Sequence, residues 1–93
     1  MVKHFSVEIK TPFINLVYNN CFSVYAHGIY GEFLLHYQHE SFFSILREGN
    51  IFLDVKNKRK IFFLNNISIL LYENYTNFCT IFVDKIIDFN KNK

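Results

Sequence analysis

Tryptophan is absent from this 93-residue chain, proline occurs once, glycine three times and cysteine twice. Each scarcity excludes something. With so little proline and glycine there is no linker, and no shift in composition marks a second domain, so the chain reads as one domain. Two cysteines, Cys21 and Cys79, cannot build a disulfide scaffold and read as reduced, buried thiols. Ten basic against eight acidic side chains leave a net charge of +2, too near neutrality to argue for a nucleic-acid partner. No apolar run reaches the roughly 20 residues of a membrane span. The most apolar segment, Ile61 to Tyr72, is broken by Asn65 and Asn66. The N-terminal MVKHFSVEIK starts basic, but Glu8 and Lys10 interrupt any apolar signal core. The chain is expected to be soluble and cytosolic, with room for a seat on a membrane complex.

What the chain has in excess is phenylalanine. Twelve Phe and six Tyr make up most of a 51% hydrophobic composition. An AT-rich genome accounts for the bias, because Phe, Ile, Asn and Lys all have AT-rich codons. Apolar surface kept for a permanent partner is the sharper alternative, and the two can coexist. A domain of this size buries only about two thirds of its unfolded surface, so its stability is expected to be modest, roughly 5–10 kcal/mol.

Turn signals recur at short intervals: Thr11-Pro12, Asn19-Asn20, Gly28 to Gly31, Gly49-Asn50, Asn57 to Arg59, Asn65-Asn66 and Glu73-Asn74. Between them lie runs of Phe, Ile, Val and Tyr that alternate with polar residues. Phe5, Val7 and Ile9 oppose Ser6, Glu8 and Lys10; Phe22, Val24 and Ala26 oppose Cys21, Ser23 and Tyr25. Period-two alternation between regular turns predicts half-buried antiparallel strands packed as a sandwich or barrel. The expected core is Phe5, Val7, Ile9, Phe22, Val24, Ile61, Phe63, Ile81 and Val83. Ser41 to Glu48 is long enough for two helical turns, yet no window carries a sustained helical period. The fold class is all-β.

Catalytic and metal chemistry find no support. His36 and His39 are three residues apart with His27 nearby, but on a strand or loop that spacing does not put two imidazoles on one face. The eight carboxylates are scattered, no phosphate-cradling glycine loop is present, and neither thiol has electropositive, exposed surroundings. No cofactor, metal or catalytic residue is expected. Lys56, Lys58, Arg59 and Lys60 cluster at the tip of a predicted hairpin. There they keep a strand edge from pairing, or, in the alternative reading, they contact single-stranded nucleic acid with neighbouring aromatics stacked on the bases.

The stretch Gly31 to Leu53 holds the most information: a Gly-Glu turn, an apolar strand, a loop centred on His39, a second apolar run and a Gly-Asn turn. Gly31, Glu32, Phe33, Leu35, His39, Phe42, Phe43, Ser44, Leu46 and Gly49 fall in step, without a gap, with a pattern of Gly-Glu-Leu, His, an apolar pair, Thr or Ser, Leu and Gly. That order resembles the N-terminal domain of the epsilon subunit of F-type ATP synthases. The similarity runs on in FSVEIKTP, INLVYNN and CFSVYA before it and in the hairpin Ile51 to Leu64 and CTIFVDKII after it, with Asp84 at a recurrent Asp. Leu34, Tyr37, Gln38 and Ser41 depart from the pattern, standing where the family carries glycines and prolines.

The resemblance implies a flattened antiparallel β-sandwich of about ten strands over residues 1–88 and a polar C-terminal tail at 89–93. It implies a non-catalytic rotor part of the central stalk, clamped to the gamma subunit and seated on the c-ring, at the cytoplasmic face of a bacterial inner membrane. Glu32 matches an acidic position near the c-ring loops, and His39 and Ser44 match positions on the gamma-facing side. The family's C-terminal helical hairpin, which carries its inhibitory latch and in some members a nucleotide site, needs roughly 25–40 residues more. It is not expected here, and neither is inhibition.

Overall fold

The computed structural model describes residues 3–90; the end of the expected tail, residues 91–93, lies outside them. Nine strands and no helix are found among the described residues: β1 (Phe5–Lys10), β2 (Asn15–Gly28), β3 (Gly31–His36), β4 (Phe42–Leu46), β5 (Gly49–Val55), β6 (Lys58–Asn65), β7 (Ser68–Glu73), β8 (Phe78–Phe82) and β9 (Lys85–Asp88). The Ser41 to Glu48 segment is therefore a strand at its centre. Asn66 and Asn77 take positive φ, 69° and 58°, at the turns after β6 and β7, where asparagine tolerates the left-handed region.

β2 belongs to both layers of the sandwich. Its first half pairs antiparallel with β1, which continues through β8 and β7 to β4; its second half lies between β3 and β5, which leads to β6 and β9. Buried side chains from β1 to β8 converge on one apolar cluster, with Ile86 of β9 packed against it. Phe5 meets Tyr72 edge-on at 5.5 Å, and Tyr18 bridges to Phe62 at 6.0 Å.

Several expectations need correction. The expected sandwich was antiparallel with about ten strands, but β1 and β8 pair in parallel. Asn19-Asn20 is no turn, because β1 and β5 occupy the two halves of β2 in succession and keep that chain extended. The CTIFVDKII run breaks at Val83-Asp84 into β8 and β9, which join different layers. Tail residue Asn90 is tied down: its carboxamide accepts from Ile61 N (2.9 Å) and donates to Ile61 O (3.1 Å).

The core is displaced by one residue in two places. Phe22 is 38% exposed, because an extra residue in β2 between Cys21, opposite Val55, and Ser23, opposite Asp54, inverts the alternation there. In β6 the buried pair is Phe62 and Leu64 in place of Ile61 and Phe63. Phe62 sits opposite buried Ile51, and directly paired residues share a face. Phe5, Val7, Ile9, Val24, Ile81 and Val83 are buried as expected.

Candidate partner-binding surface

Glu32 is the second residue of β3, opposite His27 on β2. Its carboxylate accepts a hydrogen bond from the Tyr25 hydroxyl through Oε1, and Oε2 lies 3.6 Å from His27 Nδ1. That acceptor raises the Tyr25 pKa above the ordinary phenol value. The side chain is still 61% exposed. The expected turn residue is thus a strand residue, held by two neighbours and open to solvent.

Ser44 lies on β4, close to β2. A Cβ on Gly28 would stand 2.9 Å from Ser44 Oγ and 3.0 Å from Gly31 O, so only glycine permits that approach. Main-chain bonds Ile29 N→Ile45 O (3.0 Å) and Arg47 N→His27 O (2.8 Å) close the sandwich there. Glu32 and Ser44 line one surface cleft of about 400 Å³ between the β2–β3 turn and β4. His39 is not part of it. It follows the far end of β3, at least four strand residues from Glu32 or about 13 Å. Its ring stands edge-on to Phe42 (5.3 Å) and Tyr72 (6.4 Å), and its carbonyl accepts from Asn74 Nδ2 at 2.7 Å. Of the three candidate residues the structure brings two together.

Sequence reasoning did not locate one contiguous apolar surface. Phe43, Ile45, Ile69, Leu71 and Phe82 project from the outer face of the β4–β7–β8 layer, each at least 37% exposed. Register makes them neighbours: Phe43 is opposite Leu71, Ile45 opposite Ile69, and Ile69 opposite Phe82. Glu8 and Lys10 of β1 border the patch, with Lys10 Nζ 5.9 Å from the Phe82 ring centre. The signal was present as runs apolar in both phases, FFSIL and SILLY, which a strand with one wet face does not need.

The basic hairpin is less free than its charges suggest. Arg59 Nε donates to Asp54 Oδ1 (3.1 Å) and its guanidinium stands 5.5 Å from the Phe52 ring centre. Ser23 Oγ donates to Asp54 Oδ2 (2.8 Å), and the Arg59 and Ser23 bonds together hold the Asp54 pKa below its ordinary value. Strand alternation turns Lys58 and Lys60 to the face opposite Arg59. Lys58, Arg59 and Lys60 nevertheless border, with Phe89, a depression of about 460 Å³. Among the described residues no three His, Cys, Asp or Glu converge as a metal site would require. Both thiols are buried, which pushes Cys21 up to about 12 and Cys79 higher still, so neither is a ready thiolate.

The architecture defines a class, that of small β-sandwich domains. Solved structures share this fold, among them two from mitochondria. A chain in the central stalk and c-ring structure of the Tetrahymena thermophila mitochondrial ATP synthase matches with a TM-score of 0.74 at 15% identity, over 95% of this chain and 72% of that one. A chain in the Euglena gracilis mitochondrial ATP synthase structure, comprising OSCP, F1 and c-ring, matches with a TM-score of 0.83 at 9% identity. That match covers 100% of this chain, which spans 57% of the Euglena chain. At such identities the shared property is the fold. No protein-family model and no curated protein matches the sequence.

Proposed function

We propose that this chain is a rotor subunit of the central stalk of a proton-translocating F-type ATP synthase, an epsilon-like sandwich that couples the gamma subunit to the c-ring and catalyses no step itself. The observation that carries the reading is the β4–β7–β8 apolar face on a sandwich whose fold recurs in ATP synthase structures. A rotor coupling has to transmit torque without slipping, which calls for a broad, permanent, partly apolar interface and no pocket. The gamma subunit is the partner we assign to that face. Glu32 is assigned to the c-ring, and Ser44 and His39 to the gamma side. The sandwich alone is expected to couple without inhibiting. The subunit works at an ATP-synthesising membrane; the bacterial placement expected from the resemblance draws no support from the two neighbours, which are mitochondrial.

The test is recovery of the complex. An affinity-tagged chain purified in mild detergent from its own cells is expected to bring down gamma and c subunits, and recovery of neither defeats the reading. Glu32→Arg refines it. An exposed charge pair contributes about 0.5–1 kcal/mol, so replacing attraction by repulsion is expected to reduce c-ring recovery severalfold with little change in melting temperature. Equal recovery by the variant would restrict Glu32 to its bonds with Tyr25 and His27.

The second reading, nucleic-acid binding at the depression beside Lys58, Arg59, Lys60 and Phe89, has its own measurement. With Arg59 engaged by Asp54, fluorescence titration is expected to show little affinity for single-stranded DNA at physiological salt. A submicromolar dissociation constant lost on changing those three basic residues to Ala would favour it over the stalk.

A further inference from the structure

From the free edge of β3 we infer a binding site for an extended peptide segment of a partner protein, which adds a strand to β3 and sets alternate apolar side chains into the cleft against β4. β3 pairs with β2 alone. The two-residue turn Ile29-Tyr30 makes Gly28 and Gly31 a hydrogen-bonded pair. Alternation along an antiparallel ladder then directs the main-chain groups of Gly31, Phe33 and Leu35 to β2, and those of Glu32 and Leu34 to the open edge. Neither Glu32 nor Leu34 has a main-chain partner elsewhere among the described residues. On the facing side, the bonds made by Ile45 O and Arg47 N show that odd-numbered residues of β4 turn their main chain away from β7, so Phe43 also presents unpaired groups.

Edges of this kind are normally blunted by lysine, proline, a bulge or extreme shortness. β3 has none of these: it is six residues long, regular in register, and carries one charge, Glu32. The free edge of β9 is by contrast four residues long and bears Lys85 and Asp88. Beside β3 lies the cleft lined by Ile29, Tyr30, Phe33, Phe42, Phe43 and Ile45, with the Phe33 and Phe42 rings in edge contact at 4.9 Å. The chemistry of the occupant follows. Its backbone must be extended to meet Glu32 and Leu34, and every second side chain is apolar to enter the cleft. On its outer face a Lys or Arg opposite Glu32 complements the exposed carboxylate.

The cleft shares Glu32, Phe43, Ser44 and Ile45 with the surfaces assigned above to the c-ring and the gamma subunit, and the test uses the isolated chain, so that its outcome is read apart from recovery of the complex. The ¹⁵N-labelled protein is titrated with the N-acetylated, C-amidated heptapeptide Thr-Val-Lys-Val-Thr-Val-Thr. Saturable shifts centred on the Glu32 and Leu34 amides are expected, with hydrogen exchange at those two amides slowed about tenfold at saturation. Leu34→Pro removes an N–H that points away from β2, so it is expected to keep the β2–β3 ladder and to weaken peptide binding at least tenfold. Glu32→Lys leaves the main-chain bonds of the β2–β3 ladder in place, though it removes the side-chain contacts with Tyr25 and His27, and is expected to weaken binding about fivefold at low salt. Shifts centred instead on Leu71 and Phe82, no saturable shift at millimolar peptide, protection of the same amides by self-association without peptide, or unchanged binding by Glu32→Lys would each overturn the proposal.

Discussion

Phe62→Ala is expected to remove about 3–5 kcal/mol of stability, most of what a domain this size possesses, while Phe63→Ala next to it costs about 1–2 kcal/mol. The Phe62 ring is fully buried against the cluster and approaches Tyr18, whereas Phe63 is only half-buried, opposite the exposed Asn50. Truncating Phe62 therefore leaves a cavity that close-packed neighbours fill only in part. Urea denaturation of the two variants against the parent measures both costs. A larger loss for Phe63→Ala than for Phe62→Ala would mean that β6 presents the other phase to the core and that its register with β5 is shifted by one residue.

Making the β4–β7–β8 outer face polar is expected to abolish partner recovery without unfolding the chain. Phe43→Lys combined with Leu71→Glu serves, because the two positions are direct cross-strand partners and the new charges attract each other across the ladder. Phe43 is 60% and Leu71 37% exposed, so neither change excavates the core. The melting temperature should stay within a few degrees of the parent. Apolar anchors at the centre of an interface are worth about 2 kcal/mol or more, so at least about thirtyfold weaker recovery of the gamma subunit is expected. Undiminished recovery by a folded double variant would remove this face from the interface, and with it the observation on which the stalk proposal rests.

The alternation of β1 was legible because its two faces differ in kind: Phe5, Val7 and Ile9 are buried, and Ser6, Glu8 and Lys10 are not. The IFFL run was not legible in phase, since Ile61, Phe62, Phe63 and Leu64 offer an apolar face either way. Only the Lys56-Asn57 turn and the pairing with β5 select Phe62 and Leu64 for the core. The Asn19-Asn20 pair misled for a related reason. Asparagine favours turns locally, but here the pair is taken up as an extra residue where β2 passes β1, between Tyr18 opposite Val7 and Cys21 opposite Phe5. Of the candidate site, Glu32 and Ser44 were named from a linear pattern that carries no statement of distance. That they share a cleft follows from Gly28, which draws β4 against the β2–β3 turn.

By itself the sequence determined an all-β fold, because period-two alternation between frequent turns buries apolar residues on one face of strands. It also determined that the thiols have no nearby activating charge, and it raised an apolar excess kept for a partner as one of two accounts of the phenylalanine content. Tertiary structure alone decided where that excess lies. The parallel pairing of β1 with β8 joins residues some seventy positions apart, and the bulge near Phe22 inverts one strand's faces. Both come from long-range main-chain hydrogen bonding, which leaves no local trace in composition or period. The same kind of long-range pairing gathers the apolar outer face of β4, β7 and β8 and leaves the edge of β3 unpaired, the two surfaces on which the proposals for this protein stand.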